Sequence, residues 1–376
     1  MRIDPGVRPA VLAALYLTIS EVGLYEAAAI FGALPTYVAR FIIMTGACFA
    51  AFAYLRQPSP SLRNLAVVPY LFRSVLFATT TVLLILAFST SPSLNHTYTI
   101  FMLHIGAAYL IARLPLPLRE PLTTGRLWDG QFALAIGVVL VGIYLYHFVA
   151  ADPNPDPDLA AAGFRATVFG AMAAISYAAS NIMATVFERE QVRGVEGRAL
   201  SSLELTFLGS IVALIVAPII AVLLQVSLAS DAIVAVQPTA VLAFLFWAVL
   251  AGTLSLPANT LLISAFSRTS NPALVSAMDA LVLVFALVPD LLWHGTSAAS
   301  LVGTMGIGLA LILGGSVWAI YRDARPRSRG DRSPAQSGRR MSPLNGGSTR
   351  DAENGCPCHA SSTVSTPPRL PRFDPP

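Results

Sequence analysis

Ten stretches of this chain, each of roughly 20 mostly apolar residues, are long enough to cross hydrocarbon, and that leaves few folds open. They run Pro9–Ala33, Thr36–Tyr54, Ala66–Ser89, Leu94–Ala112, Gly130–Val149, Phe164–Phe187, Ser201–Leu224, Thr239–Phe266, Ala273–Trp293 and Ser297–Tyr321. Inside lipid a backbone must bond its N–H and C=O groups within its own segment, so such runs become helices. Composition agrees, with 55% hydrophobic and 12% charged residues against about 25% charged in a soluble domain. The expectation is an all-α polytopic membrane protein. Its first span is the least regular, because Glu21 and Glu26 lie inside it.

Charge placement orients the spans. Every basic residue is Arg and none is Lys. Arg2 and Arg8, Arg56 and Arg63, Arg113, Arg119 and Arg126, Arg189, Arg193 and Arg198, and Arg268 all fall on one side of the ten-span layout. The opposite connections are nearly bare of Arg and include the acidic stretch from Asp152 to Asp158; Arg165 alone fits poorly. The positive-inside bias then places both termini in the cytoplasm of a bacterial-type plasma membrane. From Arg322 onward ten Arg face five acids, a surplus of five against the overall +4, so the rest of the chain is near −1. The basic balance therefore describes a tail and not a nucleic-acid face. Residues 322–376, rich in Arg, Pro and Ser, have the composition of a disordered segment. Their first part suits electrostatic contact with anionic lipid. The N-terminal run resembles a signal peptide, but its acids and the span that follows at once point to a retained helix. Three cysteines make no disulfide framework, and Cys356-Pro357-Cys358-His359 lacks a second pair to complete a zinc site. No metal and no cofactor is called for.

The phrase Ala87-Phe88-Ser89-Thr90-Ser91-Pro92-Ser93-Leu94 returns about 180 residues later as Ala265-Phe266-Ser267-Arg268-Thr269-Ser270-Asn271-Pro272-Ala273-Leu274, in the manner of an internal repeat. Each copy ends one apolar run and begins the next. In the ten-span layout the first copy falls outside and the second inside. Two five-helix repeats of opposite orientation, residues 1–153 and 154–321, satisfy both facts, as in the inverted repeats of secondary transporters.

With these residues in view, the chain resembles the EamA branch of the drug/metabolite transporter superfamily. The resemblance covers about residues 9–321. It is carried by the two turns just quoted, by Ala39-Arg40-Phe41, by Leu118-Arg119-Glu120 leading to Gly137 and Gly142, and by Gly306-Ile307-Gly308 with Gly314-Gly315. It implies ten helices in two inverted repeats. The sequence departs from the family where a proline usually interrupts helices 4 and 9, near Met102-Leu103 and Met278-Asp279, and where His294 replaces a Glu after helix 9.

An ionisable side chain in hydrocarbon is expensive, so each needs a partner or a task. Glu21 lies about 18 Å along helix 1 from Pro9, and Asp279 about 8 Å along helix 9 from Leu274. His104 is central in helix 4. These three are candidates for substrate contact or proton coupling. The bland alternatives are a static ion pair of Glu21 with Arg40 or Arg73, snorkelling of those arginines, and a hydrogen-bonded packing role for His104. Matching Leu94 to Leu274 sets Thr99 opposite Asp279, with Tyr98 beside it. Tyr16, Asn181 and Trp247, with Tyr25, Tyr177 and Asn259, offer further polar tips, which suits an amphipathic organic solute. Ala133 with Gly137, and Gly308 with Gly315, read as helix-packing steps on helices 5 and 10, and such steps also suit a homodimer surface. Pro69, Pro218 and Pro257 are expected to kink helices 3, 7 and 8.

These readings lead to a secondary transporter, an exporter coupled to protons, that moves a small organic metabolite or drug by alternating access. Without Lys there can be no Gly-rich Lys-Ser/Thr nucleotide loop. An intramembrane enzyme is the alternative, but no His-Glu-x-x-His or Gly-x-Ser-x-Gly pattern is present, and His96 and His104 alone build no metal site. A channel or a non-transporting membrane protein is the third reading.

Overall fold

The computed structural model describes residues 4–57, 61, 63–64, 67–90, 97, 100–114, 130–145, 157–223, 238–286 and 303–324. Among these the regular structure is entirely helical, with no strand. In chain order the helices are α1 (Val7–Phe31), α2 (Ala33–Tyr54), α3 (Val68–Thr90), α4 (His104–Arg113), α5 (Gly130–Tyr144), α6 (Pro157–Arg189), α7 (Ser202–Leu223), α8 (Pro238–Arg268), α9 (Pro272–Met278) and α10 (Thr304–Ala324). Five segments are long and apolar enough to cross a membrane, within α1, α2, α3, α6 and α8; four shorter apolar helices accompany them.

The distribution of side chains is that of a protein whose surroundings are apolar. Large apolar residues on the helices point outward, among them Ile42 at 58%, Leu110 at 64%, Ile215 at 60% and Leu242 at 67% exposure. Hydroxyls point inward and reach carbonyls of neighbouring helices. Tyr37 donates to Ala213 O at 2.9 Å, Ser176 to Leu76 O at 2.9 Å, and Thr185 to Phe266 O at 2.8 Å. Such bonds hold helices together where lipid removes the hydrophobic drive to associate.

Helix pairing follows a regular scheme. The longest contacts run between α1 and α8 and between α3 and α6; α2 packs on α8, and α3 on α7. The pairs α5 with α10, α2 with α7, α4 with α6, α6 with α8 and α4 with α9 also pack. Connections are short where the chain turns sharply. Gly32, at φ 83°, is the one residue between α1 and α2, and its N–H bonds Ala28 O at 2.8 Å; that left-handed backbone favours glycine. At the start of α7, Ser201 and Glu204 form a capping box: Ser201 N–H bonds Glu204 Oε2 at 2.8 Å and Glu204 N–H bonds Ser201 Oγ at 3.3 Å. The turn between α8 and α9 is tied to the N-terminus by Asp4, whose Oδ2 accepts from both N–H and Oγ of Ser270.

Several expectations need correction. Pro69 is the second residue of α3, where a proline costs no helical bond, so it starts that helix instead of kinking it. Pro218 and Pro257 do lie inside α7 and α8. α6 begins at Pro157, within the acidic stretch expected as a loop, and α10 continues to Ala324, into the expected tail. Neither central helix 4 nor helix 9 is a regular α-helix throughout. At Met102–Leu103, just before α4, and at Asp279–Ala280 after α9, the hydrogen bonds tighten to three-residue steps while the backbone stays right-handed (Leu103 at φ −57°, ψ −17°; Asp279 at φ −63°, ψ −19°), and helix continues to Ala286. The packing steps also shift. Gly142 and Gly315, with Ala135 and Val139, form the α5–α10 contact, and Gly308 O lies against Gly142. Gly137 meets nothing there, and the Ala133–Gly137 step lies off that seam. The residues beyond Ala324, including the Cys356–His359 motif, fall outside those described.

A Cβ added at Gly142 would sit 2.6 Å from Gly308 O and 2.9 Å from Ile312 Cγ1, whereas one at Gly137 meets no atom within 4 Å. Gly142→Ala is therefore expected to destabilise the purified protein by about 1–3 kcal/mol. Gly137→Ala should be neutral or stabilising by about 0.5–1 kcal/mol. Thermal unfolding of both variants in detergent checks the contrast.

Candidate functional site

A small pocket opens where α1, α2, α3, α6 and α8 converge beside Phe101. Its polar lining is Glu21, Arg40, Thr80, Thr81, Tyr177 and Asn259; Leu17, Phe77, Leu84 and Phe101 supply the apolar part. The helical period of α3 explains one wall. Phe77, Thr80, Thr81 and Leu84 fall on one face at three- and four-residue steps. Both threonines satisfy their hydroxyls on their own helix, bonding Leu76 O at 2.9 Å and Phe77 O at 3.0 Å.

One buried carboxylate lines this pocket and a second is reached from it through Tyr177, each answered differently. Glu21 of α1 is 1% exposed, and its Oε1 lies 3.2 Å from Arg40 Nη2. Arg40 Nε donates to Ser255 Oγ at 2.9 Å, and Ser255 in turn bonds Ser20 at 2.8 Å. The network ties α1, α2 and α8 together. Glu21 Oε2 has no hydrogen-bond partner among the described residues. Arg40 is thus an interior ion-pair member, not a snorkelling residue. Arg73, 2% exposed, is interior as well and takes no part in the Glu21 pair; Ser180 bonds its carbonyl at 3.3 Å.

The second carboxylate, Asp279, is fully buried and lies 3.2 Å through Oδ2 from His104 Nε2, itself fully buried. Tyr177 Oη donates to the same Oδ2 at 3.3 Å. The ring of Tyr177 packs edge-on against His104 and tilted against Phe101, at centroid distances of 4.9 and 4.8 Å. Tyr177 therefore reaches Asp279 with its hydroxyl while its body forms pocket wall. His104, a coupling candidate with a hydrogen-bonded packing role as the alternative, is a direct partner of Asp279. Thr99 and Tyr98, placed opposite Asp279 by sequence matching, lie outside the described residues.

Of the other candidates, Asn181 is 3% exposed, one turn beyond Tyr177 on α6, with Nδ2 unpartnered among the described residues. Tyr16 and Trp247 are half-buried and do not line the pocket; Trp247 packs against Phe246 at 5.0 Å. Asn259 lines the pocket and donates to Ser255 O at 2.8 Å.

One local match escaped sequence reading. Ile19-Ser20-Glu21 on α1 and Ile175-Ser176-Tyr177 on α6 play equivalent parts. Ser20 donates to Ala251 O on α8 at 3.0 Å, Ser176 to Leu76 O on α3 at 2.9 Å, and the next residue in each case enters the pocket. The signal was a shared Ile-Ser pair, too short to stand out before the helix pairing was known. Among the described residues no group of His, Cys, Asp and Glu could hold a metal ion.

Comparison with known proteins adds the fold alone. No family model matches the sequence, and no curated protein matches it. A solved structure described as "Crystal structure of protein" is similar over 85% of this chain and 99% of that chain, at 13% sequence identity and a TM-score of 0.54. What fold and site define together is an all-helical protein, with several helices able to span a membrane, built around a small pocket with buried charges.

Removing one member of a buried ion pair strands the other. Arg40→Gln is expected to cost about 3–5 kcal/mol. Combining it with Glu21→Gln should cost less than the two single changes added together, since the stranded charge is then gone. Denaturation of the three variants in detergent measures the coupling.

Proposed function

We propose that this chain is a secondary transporter that moves a small organic solute by alternating access, with ion coupling. In this reading it is a multi-pass protein of a bacterial-type plasma membrane, related to the EamA branch of the drug/metabolite transporters. Residues 1–153 and 154–321 are its two inverted repeats, and both termini are cytoplasmic.

The observation that carries the reading is the pairing scheme. Advancing each helix label by five, with return to α1 after α10, turns the α1–α8 contact into α6–α3, and α2–α8 into α7–α3. The pairs α5–α10, α2–α7 and α4–α9 map onto themselves. Two like halves related by a two-fold axis produce such a scheme. The interrupted helices are α4 and the α9 segment, which are counterparts in it, and broken helices flank the solute site of inverted-repeat carriers. The pocket draws lining from both halves, with Glu21 from the first and Tyr177 at the matching place in the second. Its aromatic and aliphatic walls with a few polar groups suit an amphipathic organic molecule.

The test is transport by the full chain in proteoliposomes, after a thermal-shift screen of organic solutes has supplied a ligand. Uptake or efflux should be saturable and should collapse when the proton gradient is dissipated. Glu21→Gln should lower the rate about tenfold or more, equivalent to about 1.4 kcal/mol or more. Non-saturable flux unaffected by Glu21→Gln would overturn the carrier reading. Cysteine labelling should place positions 91 and 269 on opposite faces of the membrane.

A further inference from the structure

The two helix interruptions are not merely opposite one another; they are joined by their side chains. His104 is the first residue after the Met102–Leu103 turn, and Asp279 opens the Asp279–Ala280 turn. In both places the backbone changes to tighter three-residue bonds: Leu103 N–H to Ile100 O and Ile105 N–H to Met102 O at 3.0 Å each, Asp279 N–H to Ser276 O at 3.2 Å, and Val282 N–H to Asp279 O at 2.9 Å. Neither turn contains proline or glycine.

The geometry settles how many protons the junction needs. His104 Nδ1 lies 2.8 Å from Phe101 O. A carbonyl can only accept, so Nδ1 carries hydrogen, and Nε2 faces Asp279 Oδ2 at 3.2 Å. With no proton between them, a nitrogen lone pair opposes a carboxylate and the contact is repulsive. One proton, taken from water, makes it attractive wherever it resides, as imidazolium facing carboxylate or as imidazole facing carboxylic acid. A second proton leaves imidazolium against a neutral acid and removes the charge attraction. Nε2 and Oδ2 stand within ion-pair distance without full hydrogen-bond alignment, and Asp279 Oδ1 is unpartnered among the described residues, so the contact has room to rearrange.

We infer that His104 and Asp279 form a single proton-binding site that latches the two helix interruptions together: one shared proton closes the latch, and its loss loosens both turns. The groups able to modulate it are few. From α6, Tyr177 donates to Asp279. From α1, Glu21 lines the pocket that Tyr177 also lines, paired there with Arg40 of α2. Tyr109 and Arg113 lie further along α4 itself; on the other helices packed against α4 and α9, Tyr144 ends α5, Arg268 ends α8, and Tyr321 and Arg322 lie in the last turn of α10. The latch stands whether or not the chain carries a solute. Only its use for coupling rests on the transporter reading.

Hydrogen exchange of the full-length protein in nanodiscs, without any solute, tests it. Protection factors of peptides covering residues 100–106 and 276–283, corrected for intrinsic rates, should fall together between pH 5 and 9. The expected change is about tenfold or more, in one step that fits loss of a single proton. Residues 135–142 should keep their protection throughout. Asp279→Asn removes the titrating carboxylate and should abolish the step in both segments, including the remote one at residues 100–106. A flat wild-type profile, steps at different pH in the two segments, or a step at 100–106 that survives Asp279→Asn would each overturn the latch. The wild-type series needs no variant, so the inference can fail even if Asp279→Asn does not fold. None of these outcomes bears on whether the protein carries a solute.

Discussion

A carboxylate cut off from water among apolar helices has to be met by a cation, by hydrogen-bond donors or by a proton, because left alone it costs several kcal/mol. That requirement organises the interior of this protein. Glu21 is met by Arg40 across the α1–α2 hairpin, and Arg40 is anchored to Ser255 on α8. Asp279 is met by His104 and Tyr177, from the α4 and α6 sides. Two small polar clusters thus each join three segments: α1, α2 and α8 through Glu21, Arg40 and Ser255, and α4, α6 and the turn after α9 through His104, Tyr177 and Asp279. Together with the hydroxyl–carbonyl bonds between helices, they add direction to packing that is otherwise apolar.

The interruptions of the two central helices follow the same logic. A buried helical backbone bonds its own carbonyls, but His104 takes one of them, Phe101 O, with its ring nitrogen. Ile105 N–H then bonds Met102 O, and the helix tightens at Met102–Leu103. A side chain competing for a backbone acceptor does here what a proline does elsewhere. The lack of proline at both places, noted as a departure from the EamA pattern, therefore does not make the helices regular. At Met102–Leu103 the cause is a hydrogen bond and not covalent geometry, and a hydrogen bond responds to its surroundings as a pyrrolidine ring cannot.

The glycines teach a related lesson. Small residues at four-residue spacing mark a helix surface that another helix could approach, but not which of several such surfaces is used. Ala133–Gly137 and the face carrying Ala135, Val139 and Gly142 coexist on one helix of 15 residues. Only the second meets α10, with Gly315 against Ala135 and Val139. Spacing along a helix is local information, whereas rotation of the helix about its axis is set by all its neighbours at once.

The helical class and the membrane-length runs could be read from the chain, because the cost of an unbonded backbone in lipid acts on every segment separately. That Glu21 and Asp279 would need partners was likewise legible, since burying a charge is costly wherever it falls. What joins them was not. Arg40 rather than Arg73 beside Glu21, His104 beside Asp279, and Tyr177 between pocket and acid are contacts between residues 19 to 175 positions apart. Periodicity cannot report such contacts. They depend on how the helices turn about their axes and how far they slide, and those choices exist only once the bundle has packed.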